Sequence, residues 1–204
     1  MTSIPKGRDW TIALDAMGGD HAPEQIVEGA IQVAPQLKGR LVIVGDEARV
    51  RPLLTGPMPA NVTLRHASQT VDMAEKPTEA YRTKRDSSLY IATQMVKTGE
   101  AEAMVSAGNT GAATAFSHLS WRTLPGVHRP AIISRMPNRH NGFVLLDCGA
   151  SPDVSPEHLV EFAHMGLIYA RSVMKRPDAK VHLLNIGEEA GKGNAFAQIG
   201  RAHV

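Results

Sequence analysis

The sequence predicts an α/β protein: a mostly parallel, doubly wound sheet carrying one antiparallel hairpin. Three observations lead there. Short runs of wholly apolar residues recur along the chain, as strands buried on both faces require. Longer stretches of helical period separate most of these runs, and strand then helix, repeated, makes a parallel sheet flanked by helices. One pair of runs breaks the rule: only residues 135–142 lie between them, too few for a crossover helix.

In chain order, residues 10–14 read as the first strand and 23–34 as the first helix. Pro23 falls in the opening turn, where its missing N–H would have no intrahelical partner. Residues 41–44 and 62–64 read as the next strands, with Gly56-Pro57-Met58-Pro59 as a surface loop between them. A helix is predicted over 78–97, broken near Lys84 and restarted by Asp86-Ser87-Ser88. Residues 103–105 form the fourth strand and 111–121 the following helix. The hairpin pairs 131–134 with 143–146 inside the sheet and turns at Asn141-Gly142. A helix over 156–174 opens on Pro156, and 181–184 reads as a last strand. Residues 1–9 are expected to be a disordered extension, 10–194 an incomplete α/β domain and 195–204 an atypical tail. Only 195–199 is available for the helix that should return after the last strand, so a fragment of a longer chain is expected.

Composition narrows the function. With 43% apolar and 21% charged residues the chain is that of a soluble globular protein. Aromatics make up only 4%, so the core must rest on Val, Ile, Leu, Ala and Met. A net charge of +2, from 22 basic and 20 acidic side chains, gives no electrostatic reason to expect nucleic acid. The single cysteine, Cys148, excludes an intrachain disulfide and a multi-cysteine metal site, and suits a reducing cytosol. The nine histidines form no HExxH or HxxxH pair, so no metal is expected, and the glycines after the first strand do not make GxGxxG, so no dinucleotide cofactor is expected. Nothing approaches the roughly 20 consecutive apolar residues of a membrane span. A cytoplasmic location is expected, and peripheral membrane contact stays open because it leaves a weaker mark in a sequence.

In open parallel sheets, ligands bind beyond the carboxyl ends of the strands, where helix amino termini direct N–H groups into the crevice. The unusual residues gather at those ends. The first strand runs into Asp15-Ala16-Met17-Gly18-Gly19-Asp20-His21. Gly18 and Gly19 let backbone approach a ligand closely, and Asp20 and His21 stand ahead of a helix start. Read alone, Asp20 would serve equally well as a helix cap. The fourth strand ends in Ser106-Ala107-Gly108-Asn109-Thr110-Gly111, small residues before a helix, which together form an anion cradle or a plain packing turn. Asp147 projects at the same edge after the hairpin, beside a Cys148 that reads as a buried structural thiol. Lys192, between two glycines and followed by Asn194, either reaches into the crevice or is solvated on its loop. Lys76, Arg82, Lys84 and Arg85 precede Ser87 and Ser88: a wet helix face, or a phosphate contact with the serine pair.

Five of these stretches resemble, in order, the PlsX phosphate acyltransferases: Asp15 to Pro23, Ser106 to Ala112, Leu145-Leu-Asp-Cys-Gly-Ala150, Pro156-Glu-His-Leu-Val160, and Asn185-Ile-Gly-Glu-Glu-Ala-Gly-Lys-Gly-Asn194. The resemblance runs from Trp10 to Asn194. It implies a fold similar to isocitrate and isopropylmalate dehydrogenases and to phosphate acetyltransferases. It implies transfer of a fatty acyl group from an acyl carrier protein thioester to inorganic phosphate, giving acyl phosphate for phospholipid synthesis, by a homodimer in the full-length form. It makes Lys192 the catalytic lysine, whose proposed partner, in a later Asp-Gly-Phe-x-Gly-Asn motif, is absent here. The alternatives are a phosphate acetyltransferase-like enzyme using coenzyme A, and a truncated binding domain without turnover.

Overall fold

The computed structural model describes residues 10–139, 142–149 and 154–184. Its contacts cluster into two compact units, Met1–Arg122 and Thr123–Val204.

In the first unit β1 (Thr11–Asp15), β2 (Arg40–Gly45), β3 (Val62–His66) and β4 (Ala103–Ser106) pair in parallel, in the order β3-β2-β1-β4. Along the central strands β1 and β2, residues on both faces of the sheet are buried, while the edge strands β3 and β4 are more exposed. Ile12, Leu14, Leu41 and Ile43 pack on one side with Val27, Ala30 and Ala34 of the first helix and its extension. Ala13, Val42 and Val44 pack on the other with Ala92 and Met95. Each fully buried aliphatic side chain of this kind contributes about 1.5–3 kcal/mol relative to exposure.

Helix α1 (Glu24–Val33) joins β1 to β2, and α2 (Glu47–Val50), too short to show a helical period in sequence, follows β2 behind an Asp46 cap. The expected break at Lys84 separates α3 (Pro77–Thr83) from α4 (Ser88–Thr98). Helix α4 restarts because the Ser87 hydroxyl accepts from the Tyr90 N–H at 3.3 Å, and it stops at Gly99, whose φ of +78° suits glycine. Helix α5 (Thr110–Trp121) follows β4 and lays Ala112 and Phe116 against Ala80 and Leu89. Phe116 also meets the Tyr81 ring edge-on at 5.2 Å, so the largest fully buried side chain is one of the few aromatics.

The second unit holds β5 (Ser134–Met136), β6 (Phe143–Leu145) and α6 (Pro156–Ser172). Ser155 and His158 form a reciprocal capping box at the start of α6. Phe162, Gly166 and Ala170 recur every four residues on its buried face, and a Cβ at Gly166 would lie 3.3 Å from Leu146 Cδ1. The two hairpin strands are antiparallel as expected, but among the described residues they form their own two-stranded sheet, separate from the parallel one.

Two strand boundaries also differ from the sequence reading. The first hairpin strand begins at Ser134, because the Ile132 N–H donates to Asp147 Oδ1 at 2.8 Å and its carbonyl accepts from the Cys148 N–H. Residues 181–184 are not a strand; among the described residues nothing pairs with them, and an apolar run without a neighbour forms no ladder. The N-terminal extension and the tail from 195 onward lie outside the described residues.

Candidate functional site

The strand order locates the crevice. The chain builds β1, β2 and β3 in one direction, then crosses back to place β4 on the other side of β1. Connections leaving β1 and β4 therefore diverge, and the gap between their carboxyl ends is the switch point at which such sheets bind ligands. Register puts Asp15 opposite Ser106, so the turns after both strands start side by side.

The two turns touch through glycine. A Cβ on Gly18 would lie 2.9 Å from the Gly108 nitrogen and 2.6 Å from Asp15 Oδ2, and one on Gly108 would lie 3.0 Å from Gly18 Cα. Gly19 has a φ of +119° and faces the Ala107 carbonyl. Larger residues would force the turns apart. Among the described residues no group accepts from the N–H groups of Gly19, Asp20, Thr110 or Gly111. The last two begin α5, whose positive end adds to the field there. Asp20 and His21 are exposed, and α1 has no side-chain cap, which removes the alternative reading of Asp20 as a capping residue.

The Asn109 side chain is engaged within the protein. Its Oδ1 accepts from the Ala112 N–H at 3.0 Å, capping α5, while Nδ2 lies within 3.3 Å of the carbonyls of Asp72, Met73 and Glu75. Only its backbone is left to meet a ligand. The cap was legible, since Asn ahead of a small-residue helix is a start signal; the tether to residues 72–75 was not.

The basic run divides. Lys84 Nζ donates to the Thr70 carbonyl at 2.6 Å and to the Glu75 carboxylate at 2.8 Å, and that hydrogen bond holds Glu75 below the usual carboxylate range against the opposing effect of burial. The Arg85 guanidinium lies over the Tyr81 and Tyr90 rings and donates to the Tyr90 hydroxyl. Lys76 and Arg82 stay exposed. Ser87 is fully buried, capping α4 and donating to the Lys84 carbonyl, and Ser88 is 1% exposed. Neither serine presents itself at the surface as a phosphate contact would.

Asp147 belongs to the second unit, where its Oδ1 holds the Ile132 N–H. Cys148 is half-buried, not fully buried as read from sequence, and its Sγ donates to the Leu145 carbonyl. Lys192 and Asn194 lie outside the described residues. Sequence reasoning missed Ser106, which donates to Asp15 at 2.7 Å. Its signal was a hydroxyl at the end of one strand facing a carboxylate at the end of another, visible only once the register is known.

A family model described as "Fatty acid synthesis protein" matches residues 10–202. The chain belongs to that family, the PlsX family. Members similar to it include proteins named phosphate acyltransferase from Desulfitobacterium hafniense strain Y51, 48% identical over 92% of this chain and 56% of that protein, and from Heliobacterium modesticaldum, 46% identical over 90% and 56%. This PlsX-family chain thus spans about half the length of the curated relatives it matches. The EutD phosphotransacetylase from Staphylococcus aureus shares the fold, with a TM-score of 0.57 at 22% identity over 82% of this chain and 54% of that one. Among the described residues no helix is long and apolar enough to cross a membrane.

Proposed function

We propose that this chain is part of an enzyme that moves a fatty acyl group from an acyl carrier protein thioester to inorganic phosphate. The observation that carries the reading is the contact of two glycine turns at the switch point, with unpartnered backbone amides on both. Membership of the family supports the reaction class. A phosphate oxygen attacks the thioester carbonyl, the C–O bond forms, and the oxyanion collapses with cleavage of C–S. The thiolate leaves and takes a proton, giving acyl phosphate and carrier thiol. Phosphate is already nucleophilic at neutral pH, and a thiol with a free pKa of about 8.5 leaves readily, so no covalent enzyme intermediate is needed. The catalysis required is placement of two anionic reactants and stabilisation of one oxyanion.

In this reading the turns at 18–21 and 108–111 hold phosphate through N–H groups, and Lys192 neutralises charge on the carbonyl oxygen or sulfur. Asp20 and His21, exposed on the first of these turns, orient the phosphate. Arg82 and Lys76 are exposed cations suited to meeting the acidic carrier or its phosphopantetheine arm. In its full-length form the enzyme is a cytoplasmic homodimer.

Incubation of the full-length enzyme, and of this chain alone, with palmitoyl-carrier protein tests the proposal. Thiol release that requires inorganic phosphate, with acetyl-coenzyme A a poor substitute donor, is expected. A preference for acetyl-coenzyme A favours the acetyltransferase reading. Phosphate binding without any thiol release means that this stretch is a binding domain.

A further inference from the structure

We infer that Asp15 and Ser106 act as a positioning pair, setting the spacing of the two glycine turns without touching the anion. The inference rests on the phosphate reading above. Asp15 is only 3% exposed, and both its oxygens are occupied. Oδ1 accepts from the Met17 N–H at 3.1 Å and Oδ2 from the Ser106 hydroxyl at 2.7 Å. A carboxylate only accepts, so the serine proton points to Asp15, leaving the Ser106 lone pairs to take the Gly108 N–H at 3.2 Å. One chain of hydrogen bonds thus runs from an amide of the first turn to an amide of the second. It passes directly beneath the place where Gly18 meets Gly108.

A buried carboxylate is costly unless fully hydrogen-bonded, and this one is poorly suited to contact an anion that it would repel. Its place in the sheet fits another purpose. Asp15 and Ser106 are register partners on neighbouring strands, so the link transmits the spacing of the sheet to the turns above. This replaces the sequence reading of Asp15 as a substrate contact: its carboxylate is buried, and both oxygens are held by the protein.

Calorimetric titration of the 204-residue chain with inorganic phosphate, alongside thermal melting, tests the pair. Ser106→Ala is expected to weaken phosphate binding about tenfold, equivalent to roughly 1.4 kcal/mol. Ser106→Thr, which keeps the hydroxyl, should restore affinity to within about twofold of the unaltered chain. Thr93→Val removes a different buried hydroxyl, bonded to the Leu89 carbonyl, and should shift melting without changing phosphate affinity. Should the alanine variant not fold, Ser106→Cys keeps the volume with a weaker donor and acceptor, and a several-fold loss is expected. Unchanged affinity in the alanine or cysteine variant, or no rescue by threonine, overturns the inference while the phosphate site stands. No phosphate binding by the unaltered chain overturns the site itself, and the inference with it.

Discussion

The two units solve the same problem of burial with very different means. The first stacks four parallel strands between helices and buries apolar side chains in three clusters. Among its described residues the second has two three-residue strands and one long helix, and leaves Val160, Ile168 and Leu184 more than half exposed. A lone two-stranded hairpin is marginal in water, so α6 and its Phe162 face carry most of the order there. Precise geometry can be held where packing is dense, and the paired glycine turns sit on the dense unit.

Removing a central side chain from each unit is the harshest way to break that comparison. Phe116→Ala, at a site with 0% exposure, should cost about 3–5 kcal/mol by chemical denaturation. Phe162→Ala should cost less and lower hydrogen-exchange protection within 156–172 first. Equal losses in the two would remove the contrast. Next comes Lys192→Ala in the full-length enzyme: loss of an oxyanion partner typically costs about 3–4 kcal/mol of transition-state stabilisation, so phosphate-dependent thiol release should fall by about two orders of magnitude. Near-normal release takes the lysine out of the mechanism.

Gly18→Ala should destabilise by about 1–3 kcal/mol, because its Cβ meets backbone and a buried carboxylate. It should also abolish phosphate binding; a variant that melts lower yet binds normally separates the turn from the site. Asn109→Ala removes the α5 cap, a loss of about 0.5–2 kcal/mol, and should speed amide exchange across 72–75.

The smallest effect lies in the second unit, where exposed His128 pairs with the half-buried Glu161. The hydrogen bond that His128 donates to the Glu161 carboxylate raises the His128 pKa, and the same bond lowers that of Glu161. The histidine contribution is complete below its ordinary 6.5 and is lost as pH rises through its raised folded value. The glutamate contribution is complete above 4.5 and is lost as pH falls through its lowered folded value. His128→Gln should therefore lower the melting temperature most between about pH 4.5 and 6.5, with the difference fading as pH rises through the raised histidine value. A difference that grows in alkali contradicts the pairing.

How much could be read beforehand follows the same division. Runs such as Leu41 to Val44 are legible as strands because both faces are buried, and the break at Lys84 because Ser87 is a strong helix start. The hairpin start at Ser134 was not legible, since a side chain fifteen residues on, Asp147, withdraws Ile132 from the ladder. Residues 181–184 misled because apolar sequence marks a strand only when a neighbour exists to pair with it. At the site, the glycine turns announced themselves locally. The roles of Asp15, Ser106 and Asn109 depend on strand register and on a distant loop, which local pattern does not encode.

Nitrogen-15 NMR of the chain titrated with inorganic phosphate tests the central claim most directly. The account predicts that the backbone amides of Gly19, Asp20, Thr110 and Gly111 shift together along one saturation curve. Shifts confined to one turn, or scattered over exposed cations such as Lys76 and Arg82, would contradict it.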